Sequence, residues 1–219
     1  MARPLDSPVL VIGLGRFGSA LARELTELGR EIMALEQDRN IVQHFADAFT
    51  TIVQADATDI TALEQVGADQ FETAVVGIGT SVENSVLTVA NLVDLGITNI
   101  WAKAITRSHG EILERIGANH VIYPEQEAGE RTAHLLSGTM RNFTEFSPDY
   151  ALAIISVPPV LANRSVRELR LKERYGVTLV AYEADAEFQN ISMDTKLPEG
   201  TNMLVAGPTD RVDDFAKRI

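Results

Sequence analysis

Three glycines and a downstream acid have the types and the spacing of a nucleotide-binding site. Gly13, Gly15 and Gly18 follow the apolar run at residues 9–12, and Glu36 lies 23 residues after Gly13. In such a turn the first glycine allows the tight bend, the second lets backbone N–H groups approach a pyrophosphate, and the third lets the next helix pack on the strand. The phosphates would then lie at a helix N-terminus, where unpaired N–H groups and the helix dipole favour an anion. An acid at the end of the second strand is placed to hold a ribose diol.

Ordinary tight turns also carry glycines at this spacing, so the interpretation depends on the elements around the motif. Residues 19–28 place Leu21, Leu25 and Leu28 on one helical face, and Gly29 follows as a C-terminal stop. Residues 31–35 then return as a strand that ends in Glu36. This order predicts the mononucleotide half of a Rossmann unit. For Glu36, a solvated residue at a strand end is the alternative interpretation.

Polar residues and a glycine follow later predicted strands, at the edge where doubly wound folds bind nucleotides. Asp56, with Ala57 beside it, either accepts a hydrogen bond from an adenine amino group or caps the following helix. Gly79 lets the backbone pass close to a ligand, with Asn84 just beyond it, although a plain turn also uses glycine. Lys103 either balances phosphate charge or is simply solvated. We include all five residues in the predicted nucleotide site.

Arg16 and Phe17 lie inside the glycine turn itself. The guanidinium group of Arg16 is a planar fork of donors that matches a pair of terminal phosphate oxygens. This favours a nucleotide with a charged end, such as ATP, over a dinucleotide whose pyrophosphate is flanked by two sugars. An ordinary surface arginine is the alternative interpretation.

No catalytic apparatus accompanies the predicted site. A dehydrogenase needs a substrate domain with a proton donor that faces the nicotinamide, and the sequence after residue 142 contains no histidine. We therefore expect a protein that is not an enzyme. The alternative is an NAD(H)-binding regulator or a small NAD-dependent oxidoreductase, because Glu36 permits NADH and repels the 2′-phosphate of NADPH.

Alternating strands and helices with short connections predict an α/β fold with a doubly wound parallel sheet over residues 1–124. The predicted strands are 9–12, 31–36, 51–53, 73–76, 99–103 and 120–122, and the helices are 19–28, 41–48, 58–66, 81–95 and 108–116. A helix over 125–139 carries Ala133, Leu136 and Met140 on one stripe, which predicts a connecting crossover segment at 125–142. Residues 143–219 read as a small α+β lobe, with strands 150–157, 177–182 and 203–205 and helices 165–171 and 211–219. A lobe of this size is near the lower limit for an independent core, so we expect it to bury a face against a second copy.

Composition limits the kinds of site and partner. The chain has 219 residues, no cysteine, and 31 acidic against 19 basic residues, for a net charge of −12. This charge repels nucleic acid, and the absence of cysteine excludes disulfides and thiolate chemistry. The four histidines are scattered without zinc-ligand spacing. We find neither a membrane-spanning run nor a signal-peptide core, so we expect a cytoplasmic protein.

Several ordered motifs resemble the RCK-type (KTN) gating proteins of bacterial Trk/Ktr potassium uptake systems, and the similarity covers nearly the whole chain. The motifs are residues 11–18, 36–38, 55–58 and 117–125 in the first lobe, and residues 161–169 and 175–177 in the second. The resemblance implies a Rossmann-like RCK N-lobe and an RCK C-lobe. It also implies a sensor for which ATP and ADP compete, built as dimers that assemble into an octameric ring. That ring would attach to the inner face of the membrane through a potassium-translocating subunit.

The resemblance also implies roles for individual residues. Arg16 would reach phosphate across a dimer, Glu36 would hold the ribose, and Glu125 would help to hold Mg²⁺ or another divalent cation. On physical grounds alone Glu125 could equally be a residue that stabilises a helix dipole. Ala55 stands where the family usually has glycine, which narrows the space near the base.

The family often binds cyclic di-AMP at the C-lobe dimer interface, and such binding would inactivate uptake. Asn163, Arg164 and Arg167 lie near the relevant segment of this chain. Pro158 and Pro159 depart from the usual pattern, so no residue is carried over for this ligand.

Overall fold

The structure is a computed structural model that describes residues 7–136, 140–147 and 149–219. The chain divides into two compact units, Met1–Glu125 and Gln126–Ile219. Each unit has its own sheet and its own buried core.

The first unit contains a six-stranded parallel sheet with the strand order β3-β2-β1-β4-β5-β6. Its strands are β1 (Val9–Ile12), β2 (Ile32–Glu36), β3 (Ile52–Gln54), β4 (Thr73–Val76), β5 (Asn99–Lys103) and β6 (His120–Ile122). The apolar runs of β1 and β4 are almost completely buried, as expected for strands that are covered on both faces. The order reverses between β1 and β4, which is the position where such folds bind ligands. The predicted doubly wound parallel sheet is confirmed.

Five helices cover this sheet: α1 (Arg16–Glu27), α2 (Arg39–Phe45), α3 (Ile60–Gln65), α4 (Val82–Asp94) and α5 (Arg107–Ile116). Helices α1 and α2 pack over one face, around Val11, Ala34 and Phe45. Helices α3, α4 and α5 pack over the other face. Four of the five begin with a side-chain cap, from Asp38, Asp59, Ser81 and Thr106. These caps satisfy backbone N–H groups that a helix start leaves unpaired.

The second unit contains a five-stranded antiparallel sheet with the order β10-β9-β11-β8-β7. Its strands are β7 (Met140–Ser147), β8 (Tyr150–Ser156), β9 (Thr178–Ala184), β10 (Glu187–Asn190) and β11 (Asn202–Gly207). Helix α6 (Pro124–Leu136) leads into this unit, and α7 (Val166–Leu169), α8 (Leu171–Tyr175) and α9 (Thr209–Arg218) follow. Ile155, Met203 and Phe215 are among its fully buried side chains.

Two expectations for this part of the chain need correction, and a third lies partly outside the described residues. Met140 lies in strand β7 and not on the stripe of a helix, so the predicted connecting segment 125–142 runs into the sheet. Of the helix predicted at 125–139, residues 137–139 lie outside the described residues. The single helix expected at 165–171 is two short helices, because Arg170 has φ +48° and interrupts the helical path.

Among the described residues, no helix combines the length and the apolar character that a membrane crossing requires.

Candidate functional site

The glycine turn after β1 depends on glycine for two separate steric reasons. Gly13 has φ +88°, a conformation that side chains disfavour, and its N–H donates to the carbonyl oxygen of Leu35 at 2.8 Å. A Cβ atom on Gly18 would lie 1.9 Å from the carbonyl oxygen of Gly13, which no real contact allows. Around Gly15, by contrast, a Cβ atom would meet no described atom within 4 Å. Packing within the chain therefore requires Gly13 and Gly18, while the open space at Gly15 suits the approach of a ligand.

The carboxylate of Glu36 joins the end of β2 to the glycine turn. The N–H of Leu14 donates to Oε2 at 2.7 Å, and the N–H of Asp38 donates to Oε1 at 3.0 Å. Glu36 is half-buried and lines a cavity, so the side chain is not a freely solvated strand end. An ionised carboxylate has about four acceptor positions, so two remain for the hydroxyl groups of a ribose.

Asp56 does not cap the helix that follows it. The N-cap of α3 is Asp59, whose side chain accepts from the N–H of Thr61. Asp56 Oδ1 accepts from the backbone N–H of Thr58 at 3.0 Å and from its hydroxyl at 2.7 Å. Its Oδ2 accepts from the amide of Gln37 at 2.7 Å. These contacts hold the loops after β2 and β3 together, and they leave Oδ2 with a further acceptor position for a base amino group.

A cavity of about 170 Å³ lies at the carboxyl ends of β1, β2, β3 and β4. Seven of the predicted site residues line it: Gly13, Gly15, Glu36, Asp56, Ala57, Gly79 and Asn84. The predicted site set did not include Gln37, Thr58, Ile78 and Thr80, which also line it. Each of these is the direct chain neighbour of a predicted residue, so extending each predicted loop by one position would have found them.

Four predicted residues do not line this cavity: Arg16, Phe17, Gly18 and Lys103. Arg16 is the exposed first residue of α1, and Phe17 packs against the core beneath that helix. Gly18 is buried by its contact with Gly13. These three residues lie in or beside the turn without forming a wall of the cavity.

Lys103 is buried and makes an ion pair. Its Nζ lies 2.5 Å from Oε1 of Glu125, and its side chain is 9% exposed, against 58% for Glu125. The alternative interpretation, in which Lys103 is simply solvated, is therefore wrong. The hydrogen bond from Lys103 is the main cause that holds the pKa of Glu125 below its usual value, and the positive charge of Arg16 adds to this shift in pKa. Lys103 also lies beside the cavity, because a Cβ atom on Gly79 would be 3.1 Å from its Nζ.

The predicted metal role of Glu125 has no supporting cluster of protein ligands among the described residues. Across residues 7–136, 140–147 and 149–219, no three or more His, Asp or Glu side chains cluster in a way that could hold a metal ion. A cation at Glu125 would need further ligands from a nucleotide or from a second copy.

The second unit holds a separate, larger cavity of about 560 Å³. Arg167 lines it, whereas Asn163 and Arg164 do not. Sequence reasoning missed Arg170 and Lys172, which add positive charge to a wall that also contains apolar side chains: Val177, Leu179, Ile191 and Met193. The break in the helix at Arg170 carries no glycine or proline signal that could have indicated this cavity.

Two family models match the chain. The TrkA-N domain matches residues 9–124, and the TrkA-C domain matches residues 152–219. Among curated relatives, the Ktr system potassium uptake protein C of Bacillus subtilis (strain 168) is 31% identical over 95% of this chain and 96% of its own length. The Ktr system potassium uptake protein A of the same organism is 35% identical over 83% of this chain and 82% of its own length.

Among solved structures, the GsuK RCK domain superimposes with a TM-score of 0.67 over 99% of this chain and 48% of that chain, at 17% identity. This chain therefore spans about half of that protein. Two further GsuK structures are described as bound to NAD (TM-score 0.56, 23% identity, 99% of this chain and 39% of that chain) and to ADP (TM-score 0.52, 19% identity, 59% and 34%). These likenesses show the fold. The family models and the curated relatives show more: the chain belongs to the Trk/Ktr family of potassium uptake proteins, as a TrkA-N/TrkA-C regulatory protein and not an enzyme.

Proposed function

We propose that this chain is the nucleotide-sensing regulatory subunit of a membrane potassium uptake system. It binds ATP and ADP at the glycine turn, and ATP favours the active state of the transporter while ADP favours the inactive state. It acts as a homodimer that assembles into an octameric ring, attached to the cytoplasmic face of the membrane through the potassium-translocating subunit.

The observation that carries this proposal is the link between Glu36 and the glycine turn. One carboxylate both fixes the turn, through the N–H of Leu14, and keeps acceptor positions for a ribose. The turn opens α1, whose N-terminus favours a phosphate. The acceptor positions of Glu36 and the start of α1 lie beside one cavity, and this arrangement supports a nucleotide as the ligand.

Discrimination between ATP and ADP requires a group that contacts only the longer phosphate chain. Arg16 is exposed at the start of α1 and has donors that match terminal phosphate oxygens. A ligand shifts a conformational equilibrium only by its difference in affinity for the two states. A tenfold difference in affinity between the two states corresponds to about 1.4 kcal/mol per site. The contributions of several sites in one ring would add to a larger total free energy.

NAD(H) is the second candidate ligand, because the glycine turn and Glu36 fit either nucleotide. One GsuK structure is described as bound to NAD and another as bound to ADP, so the shared fold accommodates both in that protein. Competition between NADH and ATP for the same site decides between the two candidates.

The cavity of the second unit supports a second ligand, for which we propose cyclic di-AMP as an inhibitor. Its wall combines Arg167 and Lys172, which suit phosphates, with apolar side chains that suit bases. This part of the proposal is independent of the nucleotide site in the first unit.

Isothermal titration of the purified full chain with ATP, ADP and NADH tests the main proposal, with light scattering on the same samples to record the assembly state. We expect ATP and ADP to bind in competition to a particle of about eight subunits, and Arg16→Ala to reduce the preference for ATP. Arg107→Ala is the matched control, since Arg107 is also the exposed first residue of a helix. An unchanged ATP preference in Arg16→Ala would refute the role of Arg16, and selective NADH binding by a dimer would favour the second candidate.

A further inference from the structure

The strand order of the first unit arranges the site residues in a line across the sheet. Asp56 follows β3, Glu36 ends β2, the glycine turn follows β1, Gly79 follows β4, and Lys103 ends β5. Neighbouring strands lie about 4.8 Å apart. A nucleotide with its ribose at Glu36 and its first phosphates at the glycine turn therefore directs its free end towards Gly79 and Lys103. This inference rests on the proposed nucleotide site.

The ammonium group of Lys103 lies where such a free end arrives. Gly79 lines the cavity, and a Cβ atom on it would be only 3.1 Å from Nζ of Lys103 and 3.4 Å from its Cε. The missing side chain at Gly79 therefore leaves the ammonium group close to the cavity. Any larger residue at this position would press against Lys103.

The two members of the ion pair between Lys103 and Glu125 differ in their exposure to solvent. Lys103 is buried, whereas Glu125 is more than half exposed and is the second residue of α6. An ammonium group has three donors, and one of those of Lys103 donates to Oε1 of Glu125. The carboxylate of Glu125 can leave the pair and turn into solvent, where water hydrates it. The buried ammonium group of Lys103 has little access to water and needs another partner.

We propose that Lys103 recognises the terminal phosphate of a nucleoside triphosphate by exchanging its partner, leaving Glu125 for a phosphate oxygen. A terminal phosphate carries about two negative charges and a carboxylate carries one, so the phosphate is the stronger partner for a buried ammonium group. A diphosphate ends one phosphoryl group earlier and leaves the pair with Glu125 intact. Triphosphate binding therefore frees the second residue of α6, the helix that leads into the second unit.

Calorimetric titration of the full chain in metal-free buffer with EDTA tests this exchange, with ATP and ADP as the probes. For Lys103→Met we expect the affinity for ATP to fall about tenfold more than the affinity for ADP. For Glu125→Gln we expect tighter ATP binding, by about threefold or more, and unchanged ADP binding, because the competitor for Lys103 is weakened. Glu130→Gln is the matched control on the same helix and should behave like the unmodified chain.

Equal losses for ATP and ADP in Lys103→Met, or no loss, would overturn the exchange. So would unchanged ATP binding in Glu125→Gln, which is the result that a purely metal-binding role of Glu125 predicts in metal-free buffer. Weaker ATP binding in this variant would overturn the exchange as well. If circular dichroism shows that Lys103→Met is unfolded, the Glu125→Gln result decides, because that variant keeps Lys103 in place. If the unmodified chain binds neither ATP nor ADP, the proposed function itself fails, and this outcome is distinct from the others.

Discussion

Replacement of Gly18 by alanine should damage the fold, whereas the same replacement at Gly15 should damage only ligand binding. At Gly18 the new Cβ atom would lie 1.9 Å from the carbonyl oxygen of Gly13, and real Cβ contacts stay beyond 3.0 Å. The helix start and the turn would have to separate by more than 1 Å. The clash is between backbone atoms, which cannot rotate away, so we expect the overpacking to cost about 1–3 kcal/mol of unfolding free energy.

At Gly15 the new Cβ atom meets no described atom within 4 Å, and the backbone there has φ −62° and ψ −171°, which alanine adopts freely. We therefore expect Gly15→Ala to unfold within about 0.5 kcal/mol of the unmodified chain. If a phosphate approaches this turn, the methyl group occupies its space, and ATP affinity should fall about tenfold or more.

Urea unfolding followed by tryptophan fluorescence measures the first effect, because the single tryptophan, Trp101, lies on β5 in the first unit. Calorimetric titration with ATP measures the second effect. The steric reasoning is refuted if Gly18→Ala unfolds at the same urea concentration as the unmodified chain, or if Gly15→Ala is equally destabilised. A Gly15→Ala variant that is stable and binds ATP normally would refute the phosphate position.

Three further predictions concern single residues in either unit. Glu36→Gln should weaken ATP binding about tenfold or more, because hydrogen bonds to a charged group contribute about 1.5–3 kcal/mol each, and titration calorimetry measures the change. Burial lowers the pKa of His109, so its neutral form is the one the fold stabilises; stability is complete above the pKa of an unfolded histidine and should fall as the pH drops below that value. Urea midpoints between pH 8 and pH 5, compared between the unmodified chain and His109→Gln, should show a smaller loss in the variant, and equal losses would contradict the prediction. Gly129 lies within α6, and outside the helix's own backbone no described atom would lie within 4 Å of an added Cβ. Gly129→Ala should therefore raise the unfolding free energy by about 0.5–1 kcal/mol in urea unfolding followed by circular dichroism, and a decrease would show that this glycine has another role.

Much of the first unit could be predicted because its signals are local. Strands β4, β5 and β6 lie where short apolar or β-branched runs between turn residues indicated them. The glycine turn and Glu36 were predicted from their spacing and from the order of strand, helix and strand around them, and the structure joins them by a direct hydrogen bond. The pair between Lys103 and Glu125 carried no such signal, because it joins residues 22 positions apart through the tertiary fold.

The second unit was harder to predict because its periodicity is broken. Strand β7 has a register shift between Met140 and Asn142, so its apolar residues do not alternate with a period of two. Strand β10 lies at the sheet edge and all its residues are exposed, so no buried pattern marks it. Arg170 adopts a left-handed conformation that is typical of glycine, and nothing in its residue type indicates the interruption.

The double engagement of Glu36 limits how this chain can acquire a new ligand preference. In dinucleotide-binding folds, the acid after the second strand selects the ribose of NAD, and a nearby arginine instead accommodates the 2′-phosphate of NADP. Here the same carboxylate holds the backbone of Leu14 and Asp38. A substitution that removes the charge for a new ligand also loosens the turn that places the phosphates. Divergence at this position is therefore coupled to folding, and a change of ligand would require a compensating substitution in the glycine turn.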